Sequence, residues 1–207
     1  MKGIFITLEG GEGAGKTTQV PFIKAYFEKK GLEVLTLREP GGTPCCEQIR
    51  TVLNEKRDDD VLCDEAELLL MYASRAQLTK TVIKPALAAG KVVVCDRYDL
   101  STLAYQGAGR GIKESTIKNV RQAAIGNFAP DLTLLFDLDV KLGMARAGKR
   151  GAMDRIESSG DAFFEKVRAG FLRFAKEDPE HIKVLDASLR PDEISAKIKS
   201  ILDEFYV

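Results

Sequence analysis

Gly10-Gly11-Glu12-Gly13-Ala14-Gly15-Lys16-Thr17, followed by Thr18, satisfies the spacing GxxxxGK[ST]. Glycines open backbone angles closed to other residues, so successive N–H groups in such a run can turn inward onto phosphate oxygens, helped by the positive end of the following helix. Lys16 is then placed to give a mobile cation to the β- and γ-phosphates, and the Thr17 hydroxyl to bind magnesium. The run predicts a cradle for a nucleoside triphosphate.

A second set of charges closes the apolar run Lys91-Val92-Val93-Val94-Cys95, where Asp96-Arg97-Tyr98 follows. That run reads as a buried parallel strand, and its carboxyl end is the edge of an open α/β sheet at which ligands bind. Asp96 is expected to order the magnesium and Arg97 to hold an anion; the alternative is that the two pair with each other or cap the next helix. Met71 and Arg75 lie four apart on one helical face, with Tyr72 adjacent, and could hold a base beside a forked donor. Alternatively Met71 is core and Arg75 reaches out to solvent. Thr102 and Gln106, and Ser101 and Tyr105, are further pairs at helical spacing that could read a base edge or merely cap and solvate.

These groups need a frame, and the chain supplies one by alternating short β-rich runs with longer segments of helical periodicity. Strands are expected near Ile4 to Leu8, Glu33 to Leu37, Lys91 to Cys95, Leu132 to Asp137 and Ile182 to Leu185. Helices are expected over Lys16–Lys30, Glu47–Asn54, Glu65–Ala89, Ser101–Gln106, Glu114–Asn127, Val140–Lys149, Ala162–Glu177 and Asp192–Phe205, with a kink or break at Pro85. The fold class is α/β: a three-layer P-loop fold with a five-stranded parallel sheet, helices on both faces, and a single domain over residues 1–207. Two glycine-bearing stretches read as mobile loops, Arg38 to Pro44 and a basic segment from Gly148 to Gly160, in a run that carries Arg146, Lys149, Arg150 and Arg155.

Composition narrows the function further. The 31 Lys and Arg balance the 31 Asp and Glu, so no large field would hold nucleic acid or an anionic membrane, and anion recognition must be local. No apolar run approaches the roughly 20 residues needed to span a bilayer. The 4 cysteines, Cys45, Cys46, Cys63 and Cys95, lack CxxC spacing and are expected as reduced thiols in a cytoplasmic protein. With His181 the only histidine, a structural zinc site has almost no ligands, and His181 itself, remote from every motif, is expected at the surface. The guanine-reading NKxD pattern and any DxxG are absent, which argues against a GTPase; a motor would need more chain. A compact kinase remains.

The order of motifs EGGEGAGKTT (9–18), REPGGT (38–43), Tyr72-Ala73-Ser74-Arg75, DRY (96–98), LAYQG (103–107), RGI (110–112), PDLTL (130–134), DRIE (154–157) and DAS (186–188) resembles the bacterial thymidylate kinase family. The resemblance implies transfer of the γ-phosphate of ATP to dTMP, with magnesium, in a homodimer without nucleic-acid or membrane partners. It implies that Arg75, Thr102 and Gln106 read thymine, that Arg50 and Arg97 hold the acceptor phosphate, and that Glu12 meets the deoxyribose hydroxyl. Glu39 and Tyr105 would line the same pocket, and Asp186-Ala187-Ser188 would lie against adenine. Met71 departs from the phenylalanine that the family often places against the base. The P-loop carries no arginine, so the resemblance implies a lid over 146–160 that supplies it, Arg150 first and Arg146 and Arg155 in support. A kinase for another monophosphate, and a catalytically weak ATP-dependent sensor, are the competing readings.

Overall fold

The computed structural model describes residues 3–57, 59–148 and 154–206. Five parallel strands, β1 (Ile4–Gly10), β2 (Val34–Arg38), β3 (Val92–Asp96), β4 (Leu132–Asp137) and β5 (Ile182–Asp186), form one sheet in the order β2-β3-β1-β4-β5. The chain order reverses at β1, and ligands in such sheets bind beyond the strand ends at that reversal.

Successive side chains of β1 point to opposite faces of the sheet, which explains its continuous apolar run. Ile6 and Leu8 face helices α1 (Lys16–Glu28) and α9 (Pro191–Phe205), meeting Ile23, Phe27, Ile194, Ile198 and Leu202. Phe5 faces the other side, with Val93 and Cys95 of β3 packed on Cys46 of α2 (Pro44–Asn54) and Leu78 of α3 (Asp64–Leu78). The sheet is thus covered by helices on both faces, as expected.

The long segment expected as a single kinked helix is α3, a π-helical turn over Thr79–Ile83, and α4 (Lys84–Ala88). Pro85 has no N–H to donate, and the wider turn immediately before it absorbs the missing bond. A similar change of pitch follows α5 (Asp99–Thr102), where Leu103–Gly109 runs on as a π-helix and carries both Tyr105 and Gln106. Helices α6 (Glu114–Ala124), α7 (Val140–Gly148) and α8 (Asp161–Glu177) complete the layers, and Glu157–Ser159 forms one 3₁₀ turn.

The stretch Arg38 to Pro44 differs from the mobile loop its glycines and prolines suggest. Arg38 pairs with Glu47 at 2.9 Å, Glu47 accepts from the Gly42 N–H at 2.8 Å, and Arg50 Nη1 donates to the Pro40 carbonyl at 3.0 Å. The first turns of α2 therefore hold this loop, whose Glu39–Pro40 bond is cis. His181 is exposed and lies 2.8 Å from Asp178, as its place in the sequence suggests. No helix among the described residues is long and apolar enough to cross a membrane.

Candidate active site

A cleft of about 690 Å³ opens beyond the carboxyl ends of β1 and β3. The glycine loop that leads into its wall starts where β1 ends at Gly10, with φ 136°; a Cβ there would lie 2.3 Å from the Phe136 carbonyl oxygen, so a side chain cannot be accommodated. Gly13 (φ 64°) packs against α7, where a Cβ would lie 2.1 Å from the Gly143 carbonyl oxygen. With Gly11, Ala14 and Gly15 these residues wrap the loop around the start of α1. Lys16 folds back over it, donating to the carbonyls of Gly10 at 3.0 Å and Gly11 at 2.8 Å. Burial pushes the Lys16 ammonium down to about 8; Arg97 repels it further, and Glu12, Asp96 and Glu9 offset part of the loss.

Thr17 Oγ1 donates to Asp96 Oδ2 at 2.9 Å, while Asp96 Oδ1 is buried with no hydrogen-bond partner among the described residues. A hydroxyl and a carboxylate oxygen in need of a partner suit a hard cation such as magnesium. Among the described residues no cluster of three or more His, Cys, Asp or Glu forms a closed metal cage.

Arg97 occupies the left-handed region, φ 67°, the one non-glycine to do so among the described residues. Such a backbone costs roughly 1–2 kcal/mol for an L residue and persists where the surroundings enforce it. Here Glu9, wholly buried, enforces it: its carboxylate accepts from the Tyr98 N–H at 2.8 Å, the Ser101 N–H at 3.2 Å and the Ser101 hydroxyl at 2.5 Å. The turn throws the Arg97 guanidinium back over the glycine loop, where it donates to the Gly10 carbonyl at 2.9 Å and to Glu12 Oε1 at 2.5 Å. Tyr105 also donates to Glu12 Oε1, at 2.9 Å, and its ring centroid lies 5.0 Å from the Arg97 guanidinium carbon.

The far end of the cleft is built around Arg75, which is 2% exposed. Its fork donates to Glu39 Oε2 at 2.8 Å, Thr102 Oγ1 at 2.9 Å and the Tyr98 carbonyl at 2.8 Å. The rings of Tyr72 and Tyr98 flank it at 4.9 and 5.1 Å. Met71, Arg75, Thr102 and Gln106 line the cleft together with Glu39 and Arg50. Tyr72 turns inward instead and donates to Asp99 at 2.8 Å, so Met71 alone of that pair faces the cleft.

Burial pushes the Glu39 carboxyl up from an ordinary 4.5 to about 7, against the pull of Arg75. An acid whose folded value lies above its unfolded one binds its proton more readily when folded, so its contribution to stability falls as pH rises from 4.5 to about 7. Glu39→Gln removes that titration. The unfolding free energy of the variant is expected to fall less than that of the parent between about pH 5 and pH 8 in chemical denaturation; equal slopes would exclude Glu39 as the titrating group.

Thr18 and Arg146 lie on the same lining, and Arg146 Nη1 donates to the Ala187 carbonyl at 3.0 Å, joining α7 to the turn after β5. In that turn Asp186 accepts from the Ser188 N–H at 2.9 Å and hydroxyl at 2.6 Å. Arg155 Nε donates to the Leu53 carbonyl at 2.8 Å and its Nη2 lies 2.7 Å from Glu67 Oε2. Arg150 and Lys149 lie outside the described residues. Arg38, Asn54, Asp154 and Glu157 also line the cleft, and the carboxylates Glu9, Glu67 and Asp99 lie buried behind it. Residue type alone does not single these out; the DRIE run is the one signal that pointed to Asp154 and Glu157.

A sequence model described as thymidylate kinase matches residues 8–198. The thymidylate kinase of Shewanella sp. (strain ANA-3) is 51% identical over 199 residues, covering 96% of this chain and 94% of that protein. The chain belongs to the thymidylate kinase family. A second relative, the thymidylate kinase of Ectopseudomonas mendocina (strain ymp), is 47% identical over 202 residues, or 98% of this chain and 96% of that one. The crystal structure of thymidylate kinase from Ehrlichia chaffeensis superposes with a TM-score of 0.78 at 31% identity, covering 98% of this chain and 99% of that one. Thymidylate kinase membership accounts for a P-loop and a second polar pocket sharing one cleft.

Proposed function

We propose that this thymidylate kinase family member moves the γ-phosphate of ATP to dTMP, giving dTDP, and that residues 1–207 act as one catalytic domain. The observation that carries the reading is Arg97, which touches the Gly10 carbonyl and Glu12 of the P-loop and stands in the same cleft as Arg75, Thr102 and Gln106. A donor held by the loop and an acceptor held by those side chains would meet at its guanidinium.

In this reading Gly10 to Thr18 cradle the ATP phosphates, and Lys16 leaves the loop carbonyls for the β- and γ-oxygens. Thr17 and Asp96 would hold magnesium, which when bound neutralises charge on the phosphate chain. Arg75, Thr102 and Gln106 read the base over Met71, Arg50 and Arg97 take the acceptor phosphate, and Glu12 with Tyr105 meets the sugar hydroxyl beside Glu39. The acceptor is a phosphate monoester with a second pKa near about 6, so at neutral pH it is already largely the dianionic nucleophile. No side chain has to remove a proton, and catalysis is positioning plus neutralisation of charge.

The P-loop brings the single cation Lys16, and the segment 146–160 is proposed as a lid that adds Arg150, supported by Arg146 and Arg155. Arg150→Ala is expected to lower turnover at least about a hundredfold while ATP still binds; unchanged turnover would remove Arg150 from the mechanism. The free thiols Cys45, Cys46, Cys63 and Cys95 suit a reducing compartment, the cytoplasm. Val52 on α2 and Leu69 on the neighbouring α3, 50% and 56% exposed, supply apolar surface for a homodimer.

Coupled ADP release measured over a panel of nucleoside monophosphates tests the function. The greatest kcat/KM is expected with dTMP. Tight ATP binding without acceptor-stimulated turnover would instead support a sensor, and a higher value with another monophosphate a different kinase.

A further inference from the structure

Glu67 lies in the first turn of α3 and is wholly buried, yet it carries none of the roles assigned above. Three donor atoms and one ion-pair partner converge on its carboxylate. Gln106 Nε2 donates to Oε1 at 2.6 Å, Arg110 approaches through Nε at 3.5 Å and Nη2 at 3.3 Å, and Arg155 Nη2 lies 2.7 Å from Oε2. Burial raises the carboxyl, but Gln106, Arg110 and Arg155 together outweigh it and hold Glu67 below the usual carboxylate value. Glu67 is therefore an ion, and an ionised carboxylate can only accept hydrogen bonds.

That restriction decides which way the Gln106 amide faces. A glutamine side chain carries an NH₂ on one branch and a carbonyl on the other, and in a polar pocket either can point inward. With Glu67 behind it, the NH₂ is committed, and Oε1, which has no hydrogen-bond partner among the described residues, is the atom left for the cleft that Gln106 lines. Arg75 beside it can only donate. The wall therefore offers a donor and then an acceptor. Thymine and uracil present the complement, a carbonyl and then N3–H. Cytosine presents the reverse, an amino group and then a bare N3, and would set donor against donor and acceptor against acceptor.

We propose that Glu67 is a positioning residue that fixes the Gln106 amide with its carbonyl toward the base, and thereby makes the pocket reject cytosine in favour of a pyrimidine carrying N3–H. The proposal rests on the reading of Gln106 as a base-contacting residue. Glu67 acts through Gln106, so its effect must appear in the choice between acceptors rather than in turnover alone. Arg110 and Arg155 keep the carboxylate charged and in place. Since Arg155 also binds the Leu53 carbonyl, the chain just beyond the basic segment is tied to the same anchor.

The test measures kcat/KM for dTMP and for dCMP in the parent, Glu67→Gln, Gln106→Ala and the double variant. An amide at 67 can donate as well as accept, so Gln106 is free to flip, and the dTMP-to-dCMP ratio is expected to fall about tenfold or more. In the Gln106→Ala background the same change at 67 should move the ratio less than about twofold, because the group it orients is gone. An unchanged ratio in folded Glu67→Gln, or an equal fall with and without Gln106, overturns the proposal. If Glu67→Gln does not fold, Glu67→Asp keeps the charge but withdraws it from Gln106, and must lower the ratio in the same direction. A parent enzyme that shows no preference for dTMP over dCMP would instead refute the base-reading role of this wall, a result distinguishable from failure at Glu67.

Discussion

Arg97→Ala is expected to lower turnover of dTMP by about 10³-fold, while the affinity for ATP changes far less. The size follows from what the guanidinium does. It is held against Gly10 and Glu12 of the P-loop, is flanked by the Tyr105 ring, and lines the same cleft as Arg75, Thr102 and Gln106. Positioned charges at a transferring phosphoryl group commonly contribute two to five powers of ten, and a group already aimed by its backbone loses nothing to reorganisation. The left-handed backbone supports the same view, since arginine stands where glycine would be less strained. Arg97→Lys restores charge but not the fork that spans Gly10 and Glu12, and is expected to recover only part of the loss. Steady-state kinetics at saturating ATP reads the effect; a kcat within about threefold of the parent would remove Arg97 from the transfer step.

Arg75→Met is expected to cost about 3–5 kcal/mol of stability as well as dTMP binding. Methionine keeps much of the volume between Tyr72 and Tyr98, so the loss is electrostatic rather than a cavity. Asp99 retains Tyr72 and Arg121, at 2.8 and 2.6 Å. Glu39 does not: the bond to Arg75 is the one its carboxylate makes among the described residues, and its other oxygen is already orphaned. Removing one partner of a buried pair leaves the other charge in a medium that cannot solvate it. Because protonation relieves that charge, the deficit should be larger at about pH 8 than at about pH 5. For a chain of this length the loss corresponds to a fall in Tm of about 10 °C. A melting temperature close to that of the parent at both pH values would show that Arg75 is present for the ligand alone.

The parts of this site legible in the sequence are those whose chemistry is local. The glycine loop fixes its own backbone, and Asp96-Arg97 announces itself by following a buried strand. The i,i+4 pair Thr102 and Gln106 keeps its shared wall even though the helix widens to a π turn beneath it. What was not legible depends on partners far apart in the chain. Glu67 and Gln106 are separated by 39 residues, Glu39 and Arg75 by 36, and no spacing rule links them. Arg38 to Pro44 read as mobile because Gly and Pro remove local preferences, whereas Glu47 and Arg50 of the next helix hold it. Tyr72, adjacent to Met71, looked like part of a base platform; the demand of its hydroxyl for Asp99 turns it into the core.

In the proposed function one cleft holds a donor and an acceptor nucleotide with their phosphates meeting at Lys16 and Arg97. Binding of a single molecule in which adenosine and thymidine are joined 5′ to 5′ through a chain of phosphates tests it most directly. Calorimetry is expected to show one such molecule per chain, at least about 10²-fold tighter than ATP or dTMP alone, with both nucleotides displaced. Binding no tighter than ATP, with dTMP still free to bind beside it, would contradict the claim.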